Sequence, residues 1–170
     1  MAAAALAIRH VSCCLVAFVL LLSPAAGAET KIDHILVKKA QRRMDLMSGD
    51  HVVRSYTIAL GSSPVGDKQQ QGDGKTPEGK YRIEGRNASS AYHRSLKISY
   101  PDATDRAEAA ARGVKPGGDI FIHGMPNWWV LPGAAPSGVD WTRGCIAVSK
   151  AEIEEIWDLV PDGTPIEIEP

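Results

Sequence analysis

Two short segments of the sequence carry side chains that would react together if the fold brings them close. The first, Phe121-Ile122-His123-Gly124, has the pattern of a strand that ends at a histidine. The second, Thr142-Arg143-Gly144-Cys145-Ile146, is a polar turn that leads a cysteine into an apolar run. A thiol must lose its proton to attack a carbonyl carbon, and a nearby imidazole accepts that proton. The two segments therefore predict nucleophilic catalysis by Cys145, with His123 as its base.

The residues around Cys145 suit acyl transfer. Gly144 carries no side chain, so a substrate would be able to approach the backbone there. The amides of Gly144 and Cys145 are natural donors to the oxyanion that forms on an attacked carbonyl. Arg143 would either raise the thiolate fraction of Cys145 or hold a substrate carboxylate, and both roles stay open.

Each of these residues also has a common structural explanation when it is taken alone. A histidine at a strand end is often only packed in the core, and an arginine in a turn is often only solvated. A buried cysteine likewise behaves as a small apolar residue. The order of the two segments, the loop between them and the cysteine count favour catalysis over these explanations.

The start of the chain, residues 1–28, is predicted to be a secretory signal. Its apolar run, Val11–Leu22, is followed by Ala26-Gly27-Ala28, whose small residues have the spacing that precedes signal cleavage. The run is shorter than the roughly 20 residues that cross a bilayer, so a membrane anchor is disfavoured. We therefore expect cleavage after Ala28.

Cleavage would change the cysteine count of the protein. Cys13 and Cys14 would leave with the signal, and Cys145 would be the single thiol of the remaining domain, residues 29–170. A single thiol cannot form an internal disulfide, and in an oxidising compartment it is a liability unless it is buried or does chemistry. We expect one exported, periplasmic catalytic domain with no membrane span after signal cleavage.

The elements that must position His123 and Cys145 are short strands between turns rich in glycine and proline. Loops are predicted over 61–79 and 127–141, and the first two strands are expected to form a hairpin. The predicted strands are Lys31–Lys39, Arg42–Met47, His51–Leu60, Lys80–Glu84, Ser95–Ser99, Asp119–His123, Cys145–Val148 and Pro165–Glu169.

Two helices complete the prediction. Asp102 is a candidate N-cap for a helix that extends to Arg112 and stops at Gly113. A second helix, Lys150–Val160, begins with a capping box of Ser149 and Glu152 and has an apolar face, on which Trp157 is interpreted as core packing. The predicted fold class is mainly β with two short helices.

The composition argues against several classes of function. Of the 170 residues, 44% are hydrophobic and 23% are charged, which is typical of a globular domain. The net charge of −1 indicates no basic surface for nucleic acid. The cysteine and histidine spacing is not that of a zinc site, and no phosphate-binding glycine loop occurs. We expect no metal, no cofactor and no nucleic-acid partner.

At the two reactive segments the sequence resembles the L,D-transpeptidase catalytic domain, also called the YkuD domain. That family carries His-Gly, a variable loop and then Ser/Thr-x-Gly-Cys, which stand here as His123-Gly124 and Thr142-Arg143-Gly144-Cys145. The stretch Gly72–Tyr81 (GDGKTPEGKY) is similar to the family's Thr-Pro-x-Gly strand entry. The resemblance extends from about Lys31 to Glu169.

The resemblance implies a β-sandwich-like fold and an activity on the cell wall. Cys145 would attack the carbonyl of the meso-diaminopimelate at the third position of a peptidoglycan stem peptide. The terminal D-alanine would leave, and an amine or water would resolve the thioester. The backbone carbonyl of Gly124 would orient the imidazole of His123. Residues 91–101 and the Thr142-Arg143 turn suggest the branch whose members release a lipoprotein from the wall.

The chain departs from the family pattern at two positions beside the nucleophile. Many relatives have a histidine where Arg143 stands, and an arginine or asparagine where Ala147 stands. The sequence therefore leaves the acceptor open between an amine and water. Cross-linking, trimming and lipoprotein release all stay possible outcomes. A non-catalytic wall-binding module and a structural domain with an inert Cys145 are the alternatives from other classes.

Further residues are candidates for substrate contacts. Tyr92, His93 and Ser95 are predicted to line the donor pocket, with a partly buried strand edge as the alternative. Trp128 is predicted to form a lid or substrate wall, with pinning of the loop to the core as the alternative. Thr142 is predicted to contact substrate beside Arg143. The expected partners are peptidoglycan stem peptides and, for the lipoprotein-releasing branch, a wall-linked lipoprotein.

Overall fold

The computed structural model describes residues 31–129 and 139–170. The predicted signal, residues 1–28, lies outside the described residues together with Cys13 and Cys14. Residues 130–138 of the predicted 127–141 loop also lie outside them. Within the two described ranges, no helix has the length and apolar character needed to cross a membrane.

In these ranges, eight strands form one mixed sheet in the order β3-β2-β1-β8-β4-β5-β6-β7. The predicted hairpin is confirmed, because β1 and β2 pair antiparallel with Ile35 opposite Leu46. The last strand returns to the middle of the sheet and lies parallel to the first. The strands are β1 His34–Lys38, β2 Arg43–Ser48, β3 His51–Thr57, β4 Gly79–Ser90, β5 His93–Ile98, β6 Phe121–His123, β7 Ile146–Ala147 and β8 Pro165–Glu169.

Strand β4 joins the two halves of the sheet. Its first residues, Gly79 to Arg82, pair with β8, and from Ile83 onward it pairs with β5. The register shifts between Ile83 and Gly85, where the strand passes from one partner to the other. The predicted strand Lys80–Glu84 was too short, since the polar second half of β4 is held by pairing to β5 and not by an apolar pattern of its own.

The two edge strands of the sheet, β3 and β7, are joined through the segment that follows β3. The predicted strand His51–Leu60 ends as a regular strand at Thr57. Beyond it, Ala59 exchanges two backbone hydrogen bonds of 2.9 Å with Ala147 of β7. The sheet thus closes on itself around one core. Fully buried side chains from both halves fill this core, among them Ile35, Leu46, Ile83, Ile98, Ile122, Ile146 and Ile153.

Both predicted helices are present within one residue of their expected ends. Helix α1 spans Ala103–Ala111, and the side chain of Asp102 accepts hydrogen bonds from the first-turn amides. Helix α2 spans Lys150–Leu159 and begins with the predicted capping box of Ser149 and Glu152. Trp157 packs against the core, which confirms its structural interpretation. The fold class of mainly β with two helices is confirmed.

A buried lysine fastens the loop between β3 and β4. Lys39 is only 2% exposed, and its ammonium donates to the carbonyls of Gly66 at 2.8 Å and Thr76 at 2.9 Å and to the carboxylate of Glu78 at 2.7 Å. A buried ammonium has three donors and needs a partner for each. The loop is therefore held firmly against the sheet on the side where Cys145 lies.

Candidate active site

The pairing of β6 with β7 brings His123 and Cys145 together. The two strands are parallel, with Ile122 opposite Ile146 and His123 opposite Ala147. Cys145 precedes Ala147 by two residues and therefore points to the same face of the sheet as His123. Both residues line one cavity of about 670 Å³, here named the cysteine cavity.

The sulfur of Cys145 is partly buried and contacts backbone atoms of the segment before β6. Its thiol donates to the carbonyl of Asp119, with a sulfur–oxygen distance of 3.6 Å. Burial raises the pKa of the Cys145 thiol, and the carboxylate of Asp119 raises it further. A backbone hydrogen bond from Phe121 and the charge of Lys68 oppose this rise in pKa. The thiol form of Cys145 is thus favoured before substrate enters.

His123 is 4% exposed, and its Nδ1 lies 2.7 Å from the carbonyl oxygen of Gly124. A carbonyl only accepts hydrogen bonds, so Nδ1 carries the proton and Nε2 is left as the proton acceptor. Burial lowers the pKa of His123, and the bond to Gly124 opposes that fall. The imidazole therefore stays neutral and able to act as a base.

These opposite shifts define what the pair can do. A raised cysteine pKa and a lowered histidine pKa both favour the uncharged pair over a thiolate–imidazolium pair. Proton transfer would then accompany attack on a carbonyl and would not precede it. The arrangement suits general-base activation of a thiol, with the backbone of Gly124 orienting the base.

The turn before Cys145 is held by the hydroxyl of Thr142. This hydroxyl donates to the carbonyl of Cys145 at 2.7 Å and accepts from the amide of Gly144 at 3.1 Å. Thr142 is 4% exposed, so its hydroxyl stabilises the turn although the residue also lines the cysteine cavity. Because the amide of Gly144 is engaged, the amide of Cys145 is the better candidate donor to an oxyanion.

Gly144 is needed at its position for steric reasons. Its φ is +129°, a conformation that side-chain-bearing residues rarely adopt. A Cβ atom placed there would lie 2.6 Å from the carbonyl oxygen of Lys75, which belongs to the loop fastened by Lys39. The loop between β3 and β4 thus packs directly against the turn that presents the nucleophile.

Two aromatic rings form a wall around the imidazole of His123. The ring centroid of Tyr92 lies 4.5 Å from that of His123, and the Trp141 centroid lies 5.7 Å from it. Both rings line the cysteine cavity. The indole Nε1 of Trp141 is buried and has no hydrogen-bond partner among the described residues. An unpaired buried donor is costly to the fold, and a bound ligand would be able to satisfy it.

The structure brings some of the predicted substrate-binding residues to the cysteine cavity and not others. Tyr92, Ser95, Thr142 and Arg143 line it, and Ser95 lies directly opposite His123 in the pairing of β5 with β6. The side chain of His93 instead forms an ion pair of 2.5 Å with Glu154 on α2. The side chain of His93, the first residue of β5, is therefore engaged with α2 and does not line the cavity.

Trp128 lies away from the cysteine cavity. It is 74% exposed and lines an apolar groove of about 250 Å³ with Met125, Pro126, Trp129, Val139 and Trp141. The groove adjoins the cysteine cavity through Trp141, which lines both, so the role of Trp128 as a lid or substrate wall stays a prediction. The ring of Trp128 is tilted by 59° against that of Trp129, with centroids 5.9 Å apart.

A second cavity, of about 780 Å³, adjoins the first and is here named the lysine cavity. Lys68, Lys115 and Arg143 bring positive charge to it, and Asp119 brings negative charge. Among the described residues, only Gly118, Asp119 and Arg143 line both cavities. In the part of the chain that the structure describes, no group of three or more His, Cys, Asp or Glu side chains is placed to hold a metal ion.

Sequence reasoning missed Asp119 and Trp141 as site residues. Asp119 was interpreted as the first residue of a strand, and Trp141 as the end of a loop. The Gly117-Gly118 pair before Asp119 was an available signal, because two glycines allow a tight backbone path beside another segment. Trp141 carries no such signal, since only the fold shows that it packs on His123.

The family model of the L,D-transpeptidase catalytic domain (YkuD) matches residues 32–168. YafK of Escherichia coli (strain K12) is 31% identical over 134 residues, which cover 75% of this chain and 46% of YafK. The chain thus spans about half the length of the curated relatives that it matches.

Solved structures share the fold at lower identity. The helical cell shape determining protein Pgp2 of Campylobacter jejuni superposes with a TM-score of 0.61 at 23% identity, over 84% of this chain and 51% of Pgp2. An L,D-transpeptidase of Xylanimonas cellulosilytica gives a TM-score of 0.53 at 17% identity, over 82% of this chain and 61% of that one. The fold expected from the resemblance is confirmed.

Proposed function

Because the chain belongs to the family of L,D-transpeptidase catalytic domains (YkuD), we propose that it acts on peptidoglycan stem peptides through a thioester on Cys145. The observation that carries this proposal is that Cys145 and the neutral imidazole of His123 line one cavity on adjacent strands. A thiol, a base with a free nitrogen and an open cavity are the requirements of acyl transfer by cysteine.

The proposed reaction has two halves. Sγ of Cys145 attacks the carbonyl carbon of meso-diaminopimelate at the third position, and Nε2 of His123 takes the thiol proton. The carbon–nitrogen bond to the terminal D-alanine then breaks, and the imidazolium returns the proton to the leaving amine. The amide of Cys145 donates to the oxyanion during attack. In the second half an amine of another stem, or water, displaces the sulfur.

The resting state of the pair sets a requirement on the substrate. Both groups are favoured in their uncharged forms, so a carbonyl must be held against the sulfur before the proton moves. Tyr92, Ser95 and Arg143 are placed to hold it, because they line the same cavity. We further propose that residues 1–28 direct export and that residues 29–170 form the catalytic domain.

A specific observation favours water as one acceptor. Many relatives carry a polar side chain two residues after the nucleophile, where this chain has Ala147. Ala147 is fully buried and bonds through its backbone to Ala59, so no side chain reaches the cavity from this position. Hydrolysis, either trimming a stem or releasing a wall-linked lipoprotein, is therefore the second candidate outcome of the same thioester.

The test is incubation of the protein with two defined substrates, a tetrapeptide muropeptide and a lipoprotein-linked muropeptide, followed by mass analysis of products. Dimers indicate cross-linking, tripeptides with free D-alanine indicate trimming, and free lipoprotein indicates release. Cys145→Ala is expected to abolish every product, a loss of at least about 10⁴-fold, while the melting temperature stays near that of wild type.

Three outcomes would contradict the proposal. Product formation by Cys145→Ala at the wild-type rate would rule out the thioester. If wild-type protein forms neither a product nor a covalent carbapenem adduct by intact mass, the domain is a non-catalytic wall-binding module or a structural domain with an inert thiol. An adduct that Cys145→Ala also forms would point to another nucleophile.

A further inference from the structure

We propose that Arg143 and Asp119 together recognise an amino-acid centre that bears both a free ammonium and a free carboxylate. This inference rests on the proposed function and names the part of the substrate that the site reads. In a stem peptide, this amino-acid centre is the D-centre of meso-diaminopimelate. Cys145 attacks the carbonyl at the other centre of the same residue.

The first argument is placement. Arg143 and Asp119 are exposed and, in the described parts of the chain, are the only charged residues that line both the cysteine cavity and the lysine cavity. Asp119 also contacts the nucleophile, because its carbonyl accepts from the thiol at 3.6 Å. A group that occupies both cavities beside the sulfur would therefore meet one cation and one anion.

The second argument is that both charges are available. Among residues 31–129 and 139–170, neither Arg143 nor Asp119 forms an ion pair with another side chain, and the two are not paired with each other. The neighbouring cation Lys68 differs, since its ammonium donates to Asp73 at 2.8 Å and to the carbonyl of Gln70 at 3.1 Å. Lys68 is thus already paired with a carboxylate, whereas Arg143 and Asp119 have no such partner among the described residues.

The third argument is that the backbone of Asp119 is held in a definite position. Its φ is +55°, in the left-handed region that aspartate tolerates better than most residues. On one side, the hydroxyl of Tyr100 donates to the carbonyl of Pro116 at 3.0 Å. On the other, the amide of Ile98 donates to the carbonyl of Ile120 at 2.9 Å. The carboxylate therefore projects from a fixed segment.

The carboxylate of Asp119 is also unfavourable for the nucleophile. A negative charge beside the sulfur opposes formation of the thiolate. This unfavourable effect on the thiolate is offset if the carboxylate of Asp119 binds a cation of the substrate. Substrate binding then neutralises the carboxylate and excludes water from Asp119 and Arg143. An ammonium on the substrate would satisfy Asp119 while its carboxylate satisfies the fork of Arg143.

The chemistry of the stem peptide indicates that the centre bound by Arg143 and Asp119 belongs to the donor stem and not to the acceptor stem. The D-centre of the donor keeps its ammonium throughout the reaction and is joined to the attacked centre by a short methylene chain. An acceptor amine must instead lose its proton to attack the thioester, and a carboxylate partner would keep that proton bound. We therefore assign the pair to the donor.

The experiment measures the rate of thioester formation, by quenched intact mass, with three tetrapeptide stems. One carries unmodified meso-diaminopimelate, one carries a carboxamide at the D-centre, and one carries an N-acetyl group there. Arg143→Gln is expected to lose about tenfold on the unmodified stem and little on the carboxamide. Asp119→Asn is expected to lose about tenfold on the unmodified stem and little on the N-acetyl stem.

Matched controls separate recognition from general charge effects. Asp158→Asn and Arg82→Gln change exposed charges outside both cavities and are expected to stay within twofold of wild type on all stems. Melting temperatures of all four variants show whether the fold is kept. Aminolysis of a preformed thioester is measured in parallel, and the two cavity variants are expected to leave it unchanged.

The outcomes distinguish this inference from the proposed function. Equal losses on all three stems, or no loss on any, would overturn the recognition of a zwitterionic centre while leaving the thioester mechanism intact. A loss confined to aminolysis would assign the pair to the acceptor and overturn the donor assignment. Failure of wild-type protein to form a thioester with any stem would overturn the proposed function and this inference with it.

Discussion

Lys39 and Cys145 are both enclosed by the fold, but their surroundings differ in one respect. The ammonium of Lys39 meets two carbonyls and a carboxylate, so each of its donors has a partner. Around Cys145 the hydrogen-bonding groups are left with spare capacity. The indole N–H of Trp141 is buried without a partner among the described residues, and Nε2 of His123 stays free to accept a proton.

The difference separates a structural polar site from a functional one. A satisfied buried charge holds its neighbours in place and has nothing left to offer a ligand. Unsatisfied groups around a cavity cost stability and become useful only when a substrate supplies their partners. The Lys39 site fastens the loop that packs on Gly144, so the first region positions the second.

The largest effect is expected for His123→Ala. Removal of the base should lower kcat/KM on a muropeptide by about 10³–10⁴-fold, because the thiol of Cys145 is not deprotonated without it. His51→Ala, which changes an exposed histidine on β3, is the control and should behave as wild type. A loss of only a few-fold for His123→Ala would show that His123, like Lys39, has a structural role and is not the base.

The next effect concerns stability and not chemistry. Lys39→Met should lower the free energy of unfolding by about 3 kcal/mol, because Glu78 and two carbonyls lose a buried partner. Lys80→Met is the control, since Lys80 is 78% exposed and its ion pair with Glu167 is long at 3.5 Å, and it should change stability by at most about 0.5 kcal/mol.

Urea unfolding measures both variants. Activity per folded molecule should stay near wild type in Lys39→Met below the unfolding transition. A stable Lys39→Met protein with a large fall in kcat would show instead that the lysine site takes part in the chemistry, and the comparison would fail.

A smaller effect is expected for Trp141→Phe. Removing an unpaired buried N–H should change stability by less than about 1 kcal/mol, since the lost donor had no partner in the fold. The same change should lower kcat/KM by about tenfold, because the substrate loses a hydrogen-bond donor. Trp128→Phe, whose ring lines the apolar groove but not the cysteine cavity, should stay within about twofold by the same assay. Loss of stability without loss of activity would make Trp141 a packing residue only.

The smallest effect is on the pH dependence. Burial lowers the pKa of His123, so the fall of kcat/KM towards acid should begin below about pH 6.5 and not at it.

Burial also raises the pKa of Cys145, so its alkylation by iodoacetamide should increase with pH along a transition above about 8.5. Fast alkylation at neutral pH would contradict the uncharged pair, and no alkylation at any pH would favour an inert thiol.

Local sequence signals were sufficient for much of the fold. The capping box of Ser149 and Glu152 and the N-cap Asp102 act within a few residues, so both helices were predicted within one residue of their ends. The closing strand Pro165–Glu169 matches its prediction for the same reason. The length of β4 was not predicted, because the polar second half of this strand is a strand only through its pairing with β5.

The site shows the same limit. Cys145 and His123 were found because a reactive residue type in a recognisable local segment is visible without the fold. His93 was predicted to line the pocket with Tyr92 and Ser95, but its side chain pairs with Glu154 on α2. Tyr92 and His93 are neighbours in the chain, yet only Tyr92 lines the cavity, and only the backbone path shows which of the two side chains faces it.

By itself, then, the order of residues determined the two helices, the hairpin, the family and the two reactive side chains, since each depends on neighbours in the chain or on a contiguous motif. Only the tertiary structure decided that Asp119 and Trp141 adjoin the nucleophile, that the Gly144 amide is already bonded, and that Trp128 lies elsewhere. These contacts join segments far apart in the chain, and their geometry depends on strand register and burial, which no local pattern specifies.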